Sequence, residues 1–135
     1  VTIVVDASVA LKWVLEEEGA DQARLLAASE IMIAPDLWLV ECSNVLTMKV
    51  RRGQITIAGS GKALDVIVSA PVRIMPTRGS IALAHGLSLE LNKSAYDCLY
   101  LALALSERAT MVTADAAFFR AASAVGAYAP HIRML

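Results

Sequence analysis

The chain has 135 residues, 57% hydrophobic and 19% charged, with a formal net charge of −1. That composition suits one compact domain with a sizeable core and excludes a disordered chain. The near-neutral balance counts against a simple basic nucleic-acid binder, though not against an enzyme whose own carboxylates offset its basic surface.

A mean hydropathy of +0.58 points to apolar surface that a partner covers. No apolar run approaches the length of a bilayer span; the longest candidate is Leu99–Leu105. The N-terminus has neither a basic n-region nor a cleavage pattern, so no signal peptide is expected. Cys42 and Cys98 form no CxxC and no ligand spacing, and each lies in an apolar helical pattern. They read as small buried residues in a reducing, cytoplasmic compartment.

In chain order, Thr2–Val5 reads as a strand, and Ser8–Glu16 and Ala20–Ser29 as helices. Ile31–Ala34 is a short strand closed by Pro35. Asp36 is a candidate N-cap for a helix running to Arg52, whose end is signed by Lys49, Arg51 and Arg52 followed by Gly53. Ile55–Ala70 is mostly helical, weakened near Gly59 and Gly61. Val72–Met75 is a strand stopped by Pro76. Gly79–Leu91 and Ala95–Glu107 are helices, Thr110–Thr113 a strand, Ala116–Ala124 a helix and His131–Leu135 a last short strand. Strands alternating with helices, and reading as unbroken apolar runs, imply an α/β fold. The expected architecture is a parallel sheet of four to five strands covered by helices on both faces. No linker, repeat or low-complexity segment divides residues 1–135.

In open parallel sheets, ligands bind beyond the carboxyl ends of the strands. Asp6 directly follows the first strand, and Asp115 follows Thr110–Thr113 after one residue. Neighbouring strands lie ~4.8 Å apart, so pairing of these two would let both carboxylates face one cation. Glu41 interrupts the apolar LWLVECSNVL, and Asp97 sits in the first turn of SAYDCLYLALA, a helix apolar on nearly every face. A charge on a buried helix needs a partner.

Each acid also has a structural reading. Asp6 is a strand end at the surface, Asp115 a helix cap, Asp97 half of a capping box with Ser94, and Glu41 a solvent-facing residue. Converging carboxylates repel by about 4 kcal/mol per pair at ~4 Å and an effective dielectric of ~20. A hard divalent ion removes that conflict. All-oxygen ligation without His or Cys points to Mg²⁺ or Mn²⁺ and to phosphodiester hydrolysis.

The segments IVVDASVALKW, APDLWLVECSNVL, SAYDCLYLALA and TMVTAD, in this order, resemble the PIN-domain nucleases, and among them the VapC-type toxins of toxin–antitoxin pairs. The resemblance covers nearly the whole chain. It implies a metal-dependent endoribonuclease with the first and fourth strands adjacent at the sheet centre. It implies an acidic pocket of Asp6, Glu41, Asp97 and Asp115, with Asp6 and Asp97 the most direct ligands of Mg²⁺ or Mn²⁺. Glu41 and Asp115 complete the pocket through water or a second metal. Some members carry a further acid after the fourth; here Ala116 and Ala117 follow Asp115, so that ligand is missing for a strong second metal site. The resemblance also implies an RNA substrate, a homodimer, and a small antitoxin protein covering apolar helices at Trp13, Leu15 and Trp38.

Three polar residues are candidates for supporting the pocket. Ser8 lies two residues after Asp6, Thr113 two before Asp115, and Asn44 three after Glu41. Their structural readings are an N-cap for Ser8 and local hydrogen bonding for the others. Lys12, Lys49, Arg51, Arg52, Arg78 and Lys93 are candidates for phosphate contact, with solvated surface as the alternative.

The stretch Gly59-Ser-Gly61-Lys62 imitates a phosphate loop, but Thr56 and Ala63 occupy positions where that loop needs Gly and Ser or Thr. A haloacid-dehalogenase-type phosphatase wants DxD where this chain has Asp6-Ala7-Ser8. The rival of another class is a PIN-like interaction module without catalysis.

Overall fold

The computed structural model describes residues 1–135. The apolar strand segments pair into one five-stranded sheet of order β3-β2-β1-β4-β5, in which every neighbouring pair is parallel. The strands are β1 (Thr2–Val5), β2 (Ile31–Pro35), β3 (Val72–Met75), β4 (Thr110–Thr113) and β5 (Ile132–Met134). The helices are α1 (Ala7–Val14), α2 (Ala20–Ser29), α3 (Leu37–Arg51), α4 (Ile57–Ser69), α5 (Ile81–Leu91), α6 (Ala95–Glu107) and α7 (Ala116–Ser123), with 3₁₀ turns at Thr77–Gly79 and Ala129–His131.

Ile3, Val4 and Val5 are each fully buried. Successive side chains of a strand point to opposite faces, so burial of all three requires cover on both sides of the sheet. Helix α6 supplies much of it: Cys98 through Ala104 are buried without a break. That explains why this helix carries no polar stripe. β1 and β4 are neighbours, with Val5 opposite Val112. The residues that follow, Asp6 just past β1 and Thr113 at the end of β4, therefore stand side by side at the carboxyl edge of the sheet.

Several boundaries differ from the sequence reading. The cap of α1 is Asp6, whose side chain accepts from the Val9 amide, so Ser8 lies inside the helix rather than capping it. Pro35 does not close β2 but belongs to it, opposite Met75. Asp36 makes no side-chain cap on α3. Its carboxylate instead accepts from the Thr77 hydroxyl, tying the β2–α3 junction to the turn after β3. Thr56 caps α4 by accepting from the Gly59 amide, which holds Gly59 and Gly61 in an ordinary helix and ends any phosphate-loop reading. Gly79 belongs to a 3₁₀ turn, and α5 starts at Ile81.

Candidate active site

The carboxylate of Asp6 is held at both oxygens. Oδ1 accepts from the Ser8 hydroxyl at 2.5 Å and the Val9 amide at 3.1 Å. Oδ2 accepts from the Thr113 hydroxyl at 2.5 Å. The supports are themselves fixed. Ser8 Oγ accepts from the Ala114 amide at 3.0 Å, and Thr113 Oγ1 accepts from the Asp115 amide at 3.0 Å. Three neutral donors thus anchor a carboxylate that is only 8% exposed. Burial pushes the Asp6 carboxyl above its ordinary range, the Asp97 charge adds to this, and the Ser8, Thr113 and Val9 donors pull against it.

Glu41 stands half-buried on α3. Its Oε1 accepts from the Tyr100 hydroxyl at 2.6 Å. Burial raises its carboxyl as well, with the Asp97 and Asp6 charges adding and Tyr100 opposing. Asp97 stands on the first turn of α6, which Ser94 caps by accepting from the Asp97 amide at 3.1 Å. Burial raises the Asp97 carboxyl, and the charge of Asp115 adds to it. Ser94 and the nearby Lys93 ammonium work the other way. Asp115 is exposed and caps α7, its Oδ1 accepting from the Phe118 amide at 3.1 Å.

The four acids form one electrostatic group with Asp97 at its centre, since Asp97 is coupled to Asp6, Glu41 and Asp115. None of the four is in an ion pair; the salt bridges of the chain involve Glu16, Glu17, Asp21 and Glu30 instead. No three Asp, Glu, His or Cys side chains converge on one ligating point. Asp6 faces donors of its own at both oxygens, and Asp115 gives one oxygen to its helix. The donor set still fits a hard cation: it is all oxygen and negative in sum. Mg²⁺ takes one or two carboxylates directly and reaches others through the waters it keeps.

The structure brings Ser8 and Thr113 to the site but not Asn44. The Asn44 side chain is exposed, and its amide donates to Met48 Sδ of its own helix at 3.8 Å. Tyr100 is the polar residue the sequence reading missed. Its signal was present: a phenol three residues after Asp97 shares that helical face, and a buried Tyr hydroxyl requires a partner. Burial and then Glu41 raise the Tyr100 phenol far above its ordinary range, so it stays a proton donor.

Of the basic candidates, Lys93 is the one whose charge reaches the acids. Lys12 is engaged elsewhere, donating to the Glu18 carbonyl at 2.6 Å and to Glu17 at 3.4 Å. Lys49 and Arg51 lie in the last turn of α3 and Arg52 caps its end, about two turns or more from Glu41. Cys42 and Cys98 are free and buried. Burial pushes their thiols up to about 12 and about 11, which leaves them inert. Trp38 cannot present a surface, because it is 1% exposed. Its ring packs edge-on against Trp13 at 6.2 Å, while Trp13 and Leu15 are only partly buried. No helix is long and apolar enough to cross a membrane.

Comparison with known proteins shows the family and the fold. Ribonuclease VapC9 of Mycobacterium tuberculosis is 34% identical over 113 residues, covering 84% of this chain and 85% of that protein. The crystal structure of PAE2754 from Pyrobaculum aerophilum superposes with a TM-score of 0.73 at 21% identity, over 90% of this chain and 79% of that one. A toxin–antitoxin complex from Klebsiella pneumoniae superposes with a TM-score of 0.58 at 17% identity, over 84% of this chain and 86% of its counterpart. The PIN-domain family model matches residues 3–124. With that match running from β1 through α7 and including all four acids, the chain belongs to the PIN-domain family.

Proposed function

We propose that the chain is an endoribonuclease, the toxin of a toxin–antitoxin pair, in which Asp6, Glu41, Asp97 and Asp115 hold Mg²⁺ or Mn²⁺. The observation that carries this reading is that four acids without an ion-pair partner meet at one edge of the sheet: Asp6 accepts from Thr113 of β4, two residues before Asp115, and Glu41 accepts from Tyr100, one helical turn from Asp97. A purely structural set of caps has no reason to gather uncompensated charge there. Kinship with a protein named a ribonuclease supports RNA as the substrate.

Held by these acids, a divalent ion would supply an activated water and charge stabilisation for the transferring phosphate. The residues of this chain do the orienting. Ser8 and Thr113 fix both oxygens of Asp6. The buried, raised carboxyls favour a doubly charged ligand over solitary ionisation. Lys93, whose charge is felt at Asp97, offers a positive charge for an RNA phosphate.

The partners follow from the same reading. A small antitoxin covers the apolar helices at Trp13 and Leu15. A second copy covers the open groove of about 600 Å³ lined by Leu37, Val40, Ile81, Tyr96 and Leu99. The site of action is the cytoplasm. Incubating the purified chain with total RNA in Mg²⁺, Mn²⁺ or EDTA tests the reading. Discrete cuts in either metal and none in EDTA are expected; cleavage that persists in EDTA would contradict it.

A further inference from the structure

Helices α3 and α6 carry Glu41 and Asp97, yet they are held by different neighbours. α3 packs chiefly on α4 and α1, and α6 on α5 and the sheet strands β1, β4 and β2. One hydrogen bond joins them directly: Tyr100 Oη to Glu41 Oε1 at 2.6 Å, across 59 residues of sequence. Tyr100 is 2% exposed, so its ring is fixed by the core and its hydroxyl is a rigid donor. The bond occupies one oxygen of Glu41. The other makes no hydrogen bond within the chain and is the atom left to meet a ligand.

We propose that Tyr100 is a positioning residue: its buried phenol sets the distance between α3 and α6 at the site and aims the second oxygen of Glu41 toward the centre occupied by Asp97. The proposal rests on the four-acid nuclease reading and adds to it a residue that neither touches RNA nor ligates metal. An alternative role is packing alone, with the hydroxyl using Glu41 merely as an acceptor. The two roles differ in what happens once Glu41 no longer ligates. A positioning phenol then loses its effect, whereas a packing phenol keeps it.

The test is a double-mutant cycle on wild type, Tyr100→Phe, Glu41→Gln and the double variant, with folding checked by thermal unfolding. Two values are read for each: Mn²⁺ affinity by calorimetry without RNA, and kcat and KM for RNA cleavage. Tyr100→Phe is expected to weaken Mn²⁺ binding and lower kcat by roughly tenfold, the usual cost of losing an outer-shell partner. KM for RNA should stay constant, and the loss should vanish in the Glu41→Gln background. Glu41→Asp keeps the charge but shortens its reach to the phenol, and should reproduce the loss without altering the core. Wild-type values for Tyr100→Phe, or an undiminished loss beside Glu41→Gln, would overturn the proposal. A wild-type chain that neither binds Mn²⁺ nor cuts RNA would instead sink the four-acid reading, and this proposal with it.

Discussion

Asp6 Oδ1 serves two donors at once, the Val9 amide that begins α1 and the Ser8 hydroxyl. The cap reading and the functional reading of this residue are therefore compatible: capping fixes the carboxylate that the chemistry needs. The same holds for Asp115, which caps α7 and still adds to the charge felt at Asp97. Thr113 is the residue on which both converge. It is fully buried, donates to Asp6 and accepts from the Asp115 amide. Thr113→Val keeps the shape and removes both bonds. It leaves buried polar groups unsatisfied, which costs about 1–3 kcal/mol. Urea unfolding should register that loss, and RNA cleavage should fall roughly tenfold. An unchanged midpoint with full activity would remove Thr113 from the site.

At the scale of elements, the sequence was most legible where apolar runs met strong punctuation. β1, α2, β3, α6 and β4 lie where their residues placed them, because each is bounded by Pro, Gly or a capping residue or by a change of period. Gly53 ends the α3 region at φ +71° as a C-terminal glycine should. Arg108 ends α6 at φ +52° with no glycine to announce it. Pro35 misled because proline usually stops a strand; as the last strand residue it sits at the sheet rim instead. The acids were legible as charges in apolar runs, and Ser8 and Thr113 through their two-residue spacing. Asn44 failed because spacing along a helix sets only the side a residue starts from, not where its amide turns. Tyr100 was signalled by its spacing from Asp97, but its partner was not, because the bond to Glu41 spans two helices and depends on packing rather than on local pattern.

For the whole molecule, the consequence of gathering acids is a pH dependence with a definite sign. Asp6, Glu41 and Asp97 all have carboxyls raised by burial. Unfolded carboxyls titrate near about 3.9–4.3. Between that range and the raised values, the folded chain binds more protons than the unfolded one, so stability falls as pH rises through the window. Thermal midpoints in EDTA should therefore decline across it. Mn²⁺ at about 100 times its dissociation constant should restore about 2.7 kcal/mol at neutral pH, and less as the acids protonate. A midpoint indifferent to both pH and Mn²⁺ would show that these carboxyls do not share a site.

Asp97, on the first turn of α6, is the acid whose charge is felt at both Asp6 and Glu41. The decisive measurement is cleavage of total RNA in Mn²⁺ by wild type and by Asp97→Asn, with folding of the variant confirmed by circular dichroism. The prediction is discrete cuts by the wild type and none by a variant that remains folded. A folded Asp97→Asn that cuts at the wild-type rate would contradict the assignment of this acidic cluster as the catalytic centre.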